Sequence, residues 1–162
     1  MKGLTTLICG LIFAASAFAE SPPFSYQAKG SLPSGTKYDV VIQETAYKKT
    51  LSEPEDDGSM WGIDGGYPTD VVKTFTVKLN GNNIVIRKKF YSDICNISSA
   101  EVREEGTATL LVIKGGDAAG SFNAIYRFKQ GDLVERVVRM GEMPDDIWEK
   151  TIIHSEGQSN KK

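Results

Sequence analysis

Apolar residues recur at every second position along most of the chain, a period that predicts strands rather than helices. In 38–47, Tyr38, Val40 and Ile42 fall on one face of a first strand. In 71–91, Val71, Phe75, Val77 and Leu79 alternate up to Asn80-Gly81, and Ile84 and Ile86 alternate beyond it. Asn-Gly accepts the positive φ angles of a type I′ turn, whose twist matches paired strands, so a β-hairpin is predicted here. A second hairpin turns at Glu104-Glu105-Gly106 into a nearly continuous apolar run, Thr107 followed by Ala108, Thr109, Leu110, Leu111, Val112 and Ile113. Such a run fits a strand covered on both faces, hence a central one. Phe122, Ala124, Tyr126 and Phe128 then recur at period two, and Gln130-Gly131-Asp132 turns the chain into 133–140 as a third hairpin. Successive hairpins imply a mainly β fold, an antiparallel sandwich or a partly open barrel, with its core around Phe75, Leu111, Ile113 and Tyr126.

Four segments break the alternation. Pro144-Asp145-Asp146 ahead of Ile147 and Trp148 has a proline suited to a first helical turn and acids suited to the positive end of a helix dipole. One short C-terminal helix packing Ile147 and Trp148 on the sheet is therefore predicted. Residues 20–36 are rich in Pro, Ser and Gly, with one extended stretch over 24–28, and read as an N-terminal arm. Residues 49–69 form a loop of about 20 residues, a length that in a compact domain usually signals function. The remaining segment is the start: Lys2, an apolar stretch over 4–15, then Ala17-Phe18-Ala19. This is the pattern of a cleavable signal peptide. The stretch is interrupted by Thr and Gly and is shorter than the roughly 20 apolar residues of a spanning helix. The expected division is thus a signal peptide at 1–19, the arm at 20–36, one β-rich domain at 37–153 and a disordered polar tail at 154–162. A periplasmic or secreted location follows, with no transmembrane segment after cleavage.

Charge narrows the partners. Cleavage removes only Lys2 from 19 Lys+Arg, so 18 face 21 Asp+Glu, a formal charge of −3, and no nucleic-acid partner is expected. It also removes Cys9, leaving Cys95 alone in the mature chain, where it cannot form an internal disulfide and is read as a small buried apolar side chain, with an intermolecular disulfide or a reactive thiol as the alternatives. Stability must then come from the hairpin core. The catalytic inventory is thin: His154 is the one histidine, near the C-terminus, and no Gly-x-Ser-x-Gly elbow is present. Glu55, Asp56, Asp57 and Asp64 could offer oxygens to Ca²⁺ but match no established loop spacing. No metal, cofactor or catalytic residue is expected. Arg127, Arg136 and Arg139 are read as members of cross-strand ion pairs on a wet face, with Glu135, Glu142 and Asp145 as partners, or as an anion-binding arginine pair. Asn96-Ile97-Ser98 fits the glycosylation pattern.

Two glycine-rich segments remain as the candidate contact surface. The long loop ends in Trp61-Gly62-Ile63-Asp64-Gly65-Gly66-Tyr67, with Trp61, Asp64 and Tyr67 as contact residues. The second is Gly115-Gly116-Asp117-Ala118-Ala119-Gly120-Ser121-Phe122, with Asp117, Gly120, Ser121 and Phe122. Its spacing approaches that of a phosphate loop, but Phe122 follows Ser121 where a P-loop carries Lys and Ser or Thr, and no helix is expected to follow it. A glycine-shaped turn, or a backbone nest for an anion, is the reading that remains. The expected function is binding of a protein or glycan of the cell envelope, with a hydrolase using dispersed carboxylates as the opposing class. An enzyme should show a concave pocket with converging acids of perturbed pKa.

The segments GGDAAGSF at 115–122 and GEMPDDIWE at 141–149, with WGIDG at 61–65, resemble an uncharacterised family of exported bacterial β-rich proteins. That resemblance implies a bacterial periplasmic or secreted setting and no particular chemistry. A weaker likeness over 112–128 is to periplasmic inhibitors of invertebrate-type lysozyme, β-sandwich proteins with a Ser-Gly or Gly-Ser turn followed by an aromatic residue. Here Gly120-Ser121-Phe122 occupies that turn, with Phe122 where those inhibitors tend to carry Tyr.

Overall fold

A computed structural model describes residues 22–49 and 60–154. The expected signal peptide at 1–19, the expected tail beyond His154, and Glu55, Asp56 and Asp57 of the long loop lie outside the described residues. The fold is mainly β, in two antiparallel sheets. The first runs in the order β1 (Ser25–Ser31), β2 (Lys37–Ala46), β3 (Asp70–Leu79), β4 (Asn82–Ile84). The second is β5 (Ile97–Glu105), β6 (Ala108–Gly115), β7 (Phe122–Lys129), β8 (Asp132–Met140), β9 (Ile147–Ile152), each strand beside its neighbour in sequence. The sheets do not close into one barrel. Among the described residues no helix is long and apolar enough to cross a membrane.

The turns form where the side chains permit them. Asn80 and Gly81 both take positive φ, 51° and 85°, as a type I′ turn requires, and Gln130 and Gly131 repeat this at 53° and 87°. The extended stretch of the arm is part of β1, which pairs with β2 along its whole length, from Ser25 opposite Gln43 to Ser31 opposite Lys37. The strand after Asn80-Gly81 is shorter than its apolar alternation suggests: β4 ends at Ile84, and Lys88–Phe90 form a single 3-10 turn.

One hydrophobic cluster draws on both sheets. Val40, Ile42, Phe75, Val77 and Leu79 of the first meet Leu111, Ile113, Ala124, Tyr126 and Phe128 of the second, all buried. β6 is buried on both faces, as its apolar run predicts: Leu111 and Ile113 enter this core while Ala108, Leu110 and Val112 join Ile125 in a separate cluster. Removing these side chains from water is the main stabilising term, at roughly 1.5–3 kcal/mol for each large one.

The predicted C-terminal helix is not formed; Ile147–Ile152 is strand β9. Pro144 to Asp146 make a turn instead, closed by Asp146 N–H donating to Met143 O at 2.8 Å. The cause lies in β8, whose nine residues would otherwise leave a row of backbone N–H and C=O groups unpaired at the sheet edge. A helix of two turns could bury Trp148 but could not satisfy that edge. β9 does both, because a bulge between Val138 and Arg139 leaves Trp148 without a cross-strand partner and free to stack on Trp61.

Candidate functional site

The two glycine-rich segments pack against each other. A Cβ placed on Gly120 would lie 2.5 Å from the carbonyl carbon of Ile63, and one on Gly116 would lie 2.8 Å from Cα of Gly62. Only glycine lets the backbones approach this closely, and Gly62 and Gly116 also adopt φ of +111° and +68°.

Asn96 keys the contact. Its backbone is left-handed, with φ 51°, a conformation that asparagine tolerates better than most residues. Its Oδ1 accepts from the Thr69 and Asp70 amides at 2.9 and 3.1 Å, and its Nδ2 donates to Gly62 O at 2.9 Å. Its own carbonyl accepts from Gly116 N–H at 2.9 Å. One side chain and one peptide thus join the long loop, the start of β3 and the 115–122 turn. With its amide engaged in this way, Asn96 does not present a nitrogen for a glycan in the folded protein. Beside it Cys95 is buried, its Sγ donating to Trp61 O at 3.3 Å, which agrees with its reading as a small core side chain.

A cleft of about 520 Å³ opens at this junction, lined by Met60, Trp61, Gly62, Ile63, Gly65, Ala119, Gly120 and Trp148. The rings of Trp61 and Trp148 stack in its wall, 5.3 Å apart and 25° from parallel. These are the chain's two tryptophans. Among the described residues Trp61 Nε1 is buried without a hydrogen-bond partner, an N–H whose lost hydration none of them offsets.

The predicted contact residues are distributed unevenly around this cleft. Trp61 and Gly120 line it, and the Asp64 amide lies against Gly120 while the residue is exposed. Ser121 packs against Gly141, with its Oγ buried and unpartnered. Phe122 is 1% exposed and belongs to the core. Tyr67 points elsewhere, stacked on Tyr47 at 6.2 Å with Lys49 Nζ 4.1 Å above its ring. Asp117 is exposed on the far side of the glycine turn, where it lines a second cleft.

That second cleft, about 860 Å³, was not anticipated. Its walls include Phe24, Glu44, Asp70, Asn96, Ile97 and Asp117. Glu44 is 7% exposed, and both of its carboxylate oxygens accept from Ile97 N–H at 3.1 Å. Burial is the largest influence on this carboxyl and the nearby Asp70 adds like-charge repulsion; together they outweigh the amide hydrogen bonds and push its pKa up to about 7. The signal was present in the chain, since Glu44 continues the parity of Val40 and Ile42 and so puts a carboxyl on the apolar face of β2.

A second buried charge lies inside the second sheet. Arg136, 1% exposed, donates from Nη1 to both oxygens of Glu149 at 2.9 and 2.8 Å, and from Nη2 to Asp93 Oδ1 at 2.8 Å. The Tyr126 hydroxyl donates to Phe90 O at 2.6 Å, and burial holds it well above the ordinary phenol range. Asp93 and Glu149 are not among the partners predicted for Arg136. Arg127 does follow the prediction, pairing across the strands with Glu135 at 3.2 Å and also reaching Glu105. Arg139 Nη1 bonds the Pro144 carbonyl at 3.4 Å. His154 is exposed and borders a separate cavity with Ile152 and Val85.

No protein-family model, curated protein or solved structure matches the chain.

Proposed function

We propose that this protein is an exported, non-catalytic β-domain, its two sheets arranged as an open sandwich, that binds an envelope partner or ligand at the cleft between its glycine-rich segments. The observation that carries this reading is the meeting of 61–66 with 115–122 around a concave, aromatic-walled space. Ligand sites are typically apolar concavities with a few convergent polar groups. Here the stacked Trp61 and Trp148 supply the apolar wall. A sugar ring of an envelope glycan suits that wall, with C–H groups on its face to lie against the indoles. The signal-like residues 1–19 and the likeness to exported bacterial proteins favour the same compartment.

The test is retention of the protein on insoluble cell-envelope glycan, compared with Trp148→Ala. The variant loses one wall of the cleft, and binding is expected to weaken about tenfold or more while cooperative unfolding persists. Equal retention of the two proteins would overturn the cleft as the binding site.

A second reading, a hydrolase using carboxylates, is favoured by one observation: Glu44, Asp70 and Asp117 border the 860 Å³ cleft, and Glu44 holds a proton near neutrality. It predicts turnover of a glycoside substrate that Glu44→Gln abolishes. The inhibitor-like version of the binding reading needs a presented Gly120-Ser121-Phe122 turn, and the burial of Gly120 and Phe122 leaves Ala118 and Ala119 as its exposed part.

A further inference from the structure

The two clefts share a wall, and one hydrogen-bonded strip runs through it. Glu44 on β2 grips the Ile97 amide. The preceding residue, Asn96, holds Gly62 through its side chain and Gly116 through its carbonyl. Gly62 lines the tryptophan cleft, Gly116 lines the acidic one, and their backbones touch. We propose that Glu44 and Asn96 form a proton-operated latch, in which the protonation of Glu44 sets how firmly the 96–97 peptide is held and thereby the geometry of the Trp61–Trp148 cleft. The latch deepens the binding reading given above and rests on it for its purpose.

The direction follows from what faces Glu44. Phe24 O accepts from the Glu44 amide at 2.9 Å and brings no charge from the side of β1. Asp70 approaches from β3 and Asp117 borders the cleft from the 115–122 turn. Among the described residues lining this cleft there is no Lys, Arg or His. The amide donors favour the carboxylate, but burial and Asp70 outweigh them, so the seat as a whole favours the neutral carboxyl. Below about pH 7 Glu44 takes a proton from solvent and stays seated; above it the carboxylate gains by moving toward water, and the grip on Ile97 loosens. The cleft is tight in acid and relaxed in alkali.

The chain carries its own reporter, because its two tryptophans are the stacked pair in the cleft. Near-ultraviolet circular dichroism of the full chain is expected to show the coupled indole signal falling in a single transition centred near pH 7. Glu44→Gln should abolish the transition and keep the acid-form signal at all pH values. Because histidine is the side chain that ordinarily changes charge near neutrality, His154→Gln is the control, and it should leave the transition in place. A flat wild-type signal between pH 5 and 9, or a transition that survives in Glu44→Gln, would overturn the latch.

If Glu44→Gln fails to fold, NMR of the wild-type chain decides. The Glu44 side-chain carboxyl and the two indole N–H signals must titrate with one midpoint, and separate midpoints refute the coupling. Glycan retention that is equal at pH 6 and pH 8 removes the latch and leaves the cleft reading. A pH transition without any retention does the reverse.

Discussion

Among the described residues, ionisable side chains are buried at Arg136 and at Glu44, and the two are managed in opposite ways. Inside the second sheet, Arg136 is met by two carboxylates, Asp93 and Glu149, with ion-pair distances of 2.8 Å on each side. Burial works against its charge, yet the neighbouring Tyr126, Asp93 and Glu149 raise its pKa further. Near the C-terminal end of β2, Glu44 receives only backbone amide hydrogen bonds and faces another acid, Asp70. The first arrangement fixes a geometry, and the second leaves a proton to settle it. Low dielectric surroundings magnify both outcomes, since the same burial that strengthens a complete pair penalises a lone charge.

Three experiments break or sharpen this contrast. The largest effect is expected from Arg136→Met, which leaves Asp93 and Glu149 without the guanidinium. Asp93 and Glu149 are only partly buried, so unfolding in urea should show a loss of about 2–4 kcal/mol, below the full range for breaking a buried pair; a loss below about 1 kcal/mol would mean that the two acids find water. Next comes Glu44→Gln. Glu44 has a folded pKa near 7, above its ordinary unfolded value, so its favourable contribution is present in acid and disappears as pH rises through 7. Wild-type stability should drop between pH 5 and pH 8 by an amount on the order of 2 kcal/mol attributable to this group. The variant should lack that component and be the more stable protein at pH 8. The smallest effect belongs to Arg127→Gln on the outer face, where Arg127 is paired with Glu135 and Glu105 near solvent. Such pairs contribute about 0–1 kcal/mol, and added salt should shrink even that.

Where local chemistry decides the structure, the chain could be read directly. Asn80-Gly81 and Gln130-Gly131 specify their turns through backbone conformation alone, and the alternation of β7 together with the unbroken run of β6 state which faces are covered. The errors arise where one residue is out of step. Counted back from the turn at Gln130-Gly131 without interruption, Arg136 would stand opposite Ile125 on the outer face. A bulge beside Phe128 shifts the register by one, so Arg136 stands opposite Tyr126 and points into the core. Another bulge after Gln43 sets Glu44 opposite Val72, so that Val72 packs on the core where simple alternation favours Val71. The strand at 147–152 escaped notice because Pro-Asp-Asp suits a helix start and a turn equally well, and the need of β8 for a partner is a tertiary fact. The candidate surface shows the same division. The two glycine-rich segments were visible as sequence, but Trp148 and Asn96, which complete the surface, come from distant parts of the chain, and their local patterns pointed to other roles.

The order of strands sets the order in which the protein can assemble. In the second sheet every strand pairs with its predecessor across a connection of no more than six residues, so the sheet can grow by zipping from one hairpin to the next. In the first sheet, β2 must wait for β3 across the excursion from 47 to 69 before their ladder can form. Closing a longer loop costs more chain entropy before any contact repays it. The five-stranded sheet is therefore expected to form first, with pairing of β2 and β3 and docking of 61–66 against it as the slower step. Asn96 and the two glycines record that event: the residues that shape the cleft are those that register the completion of folding.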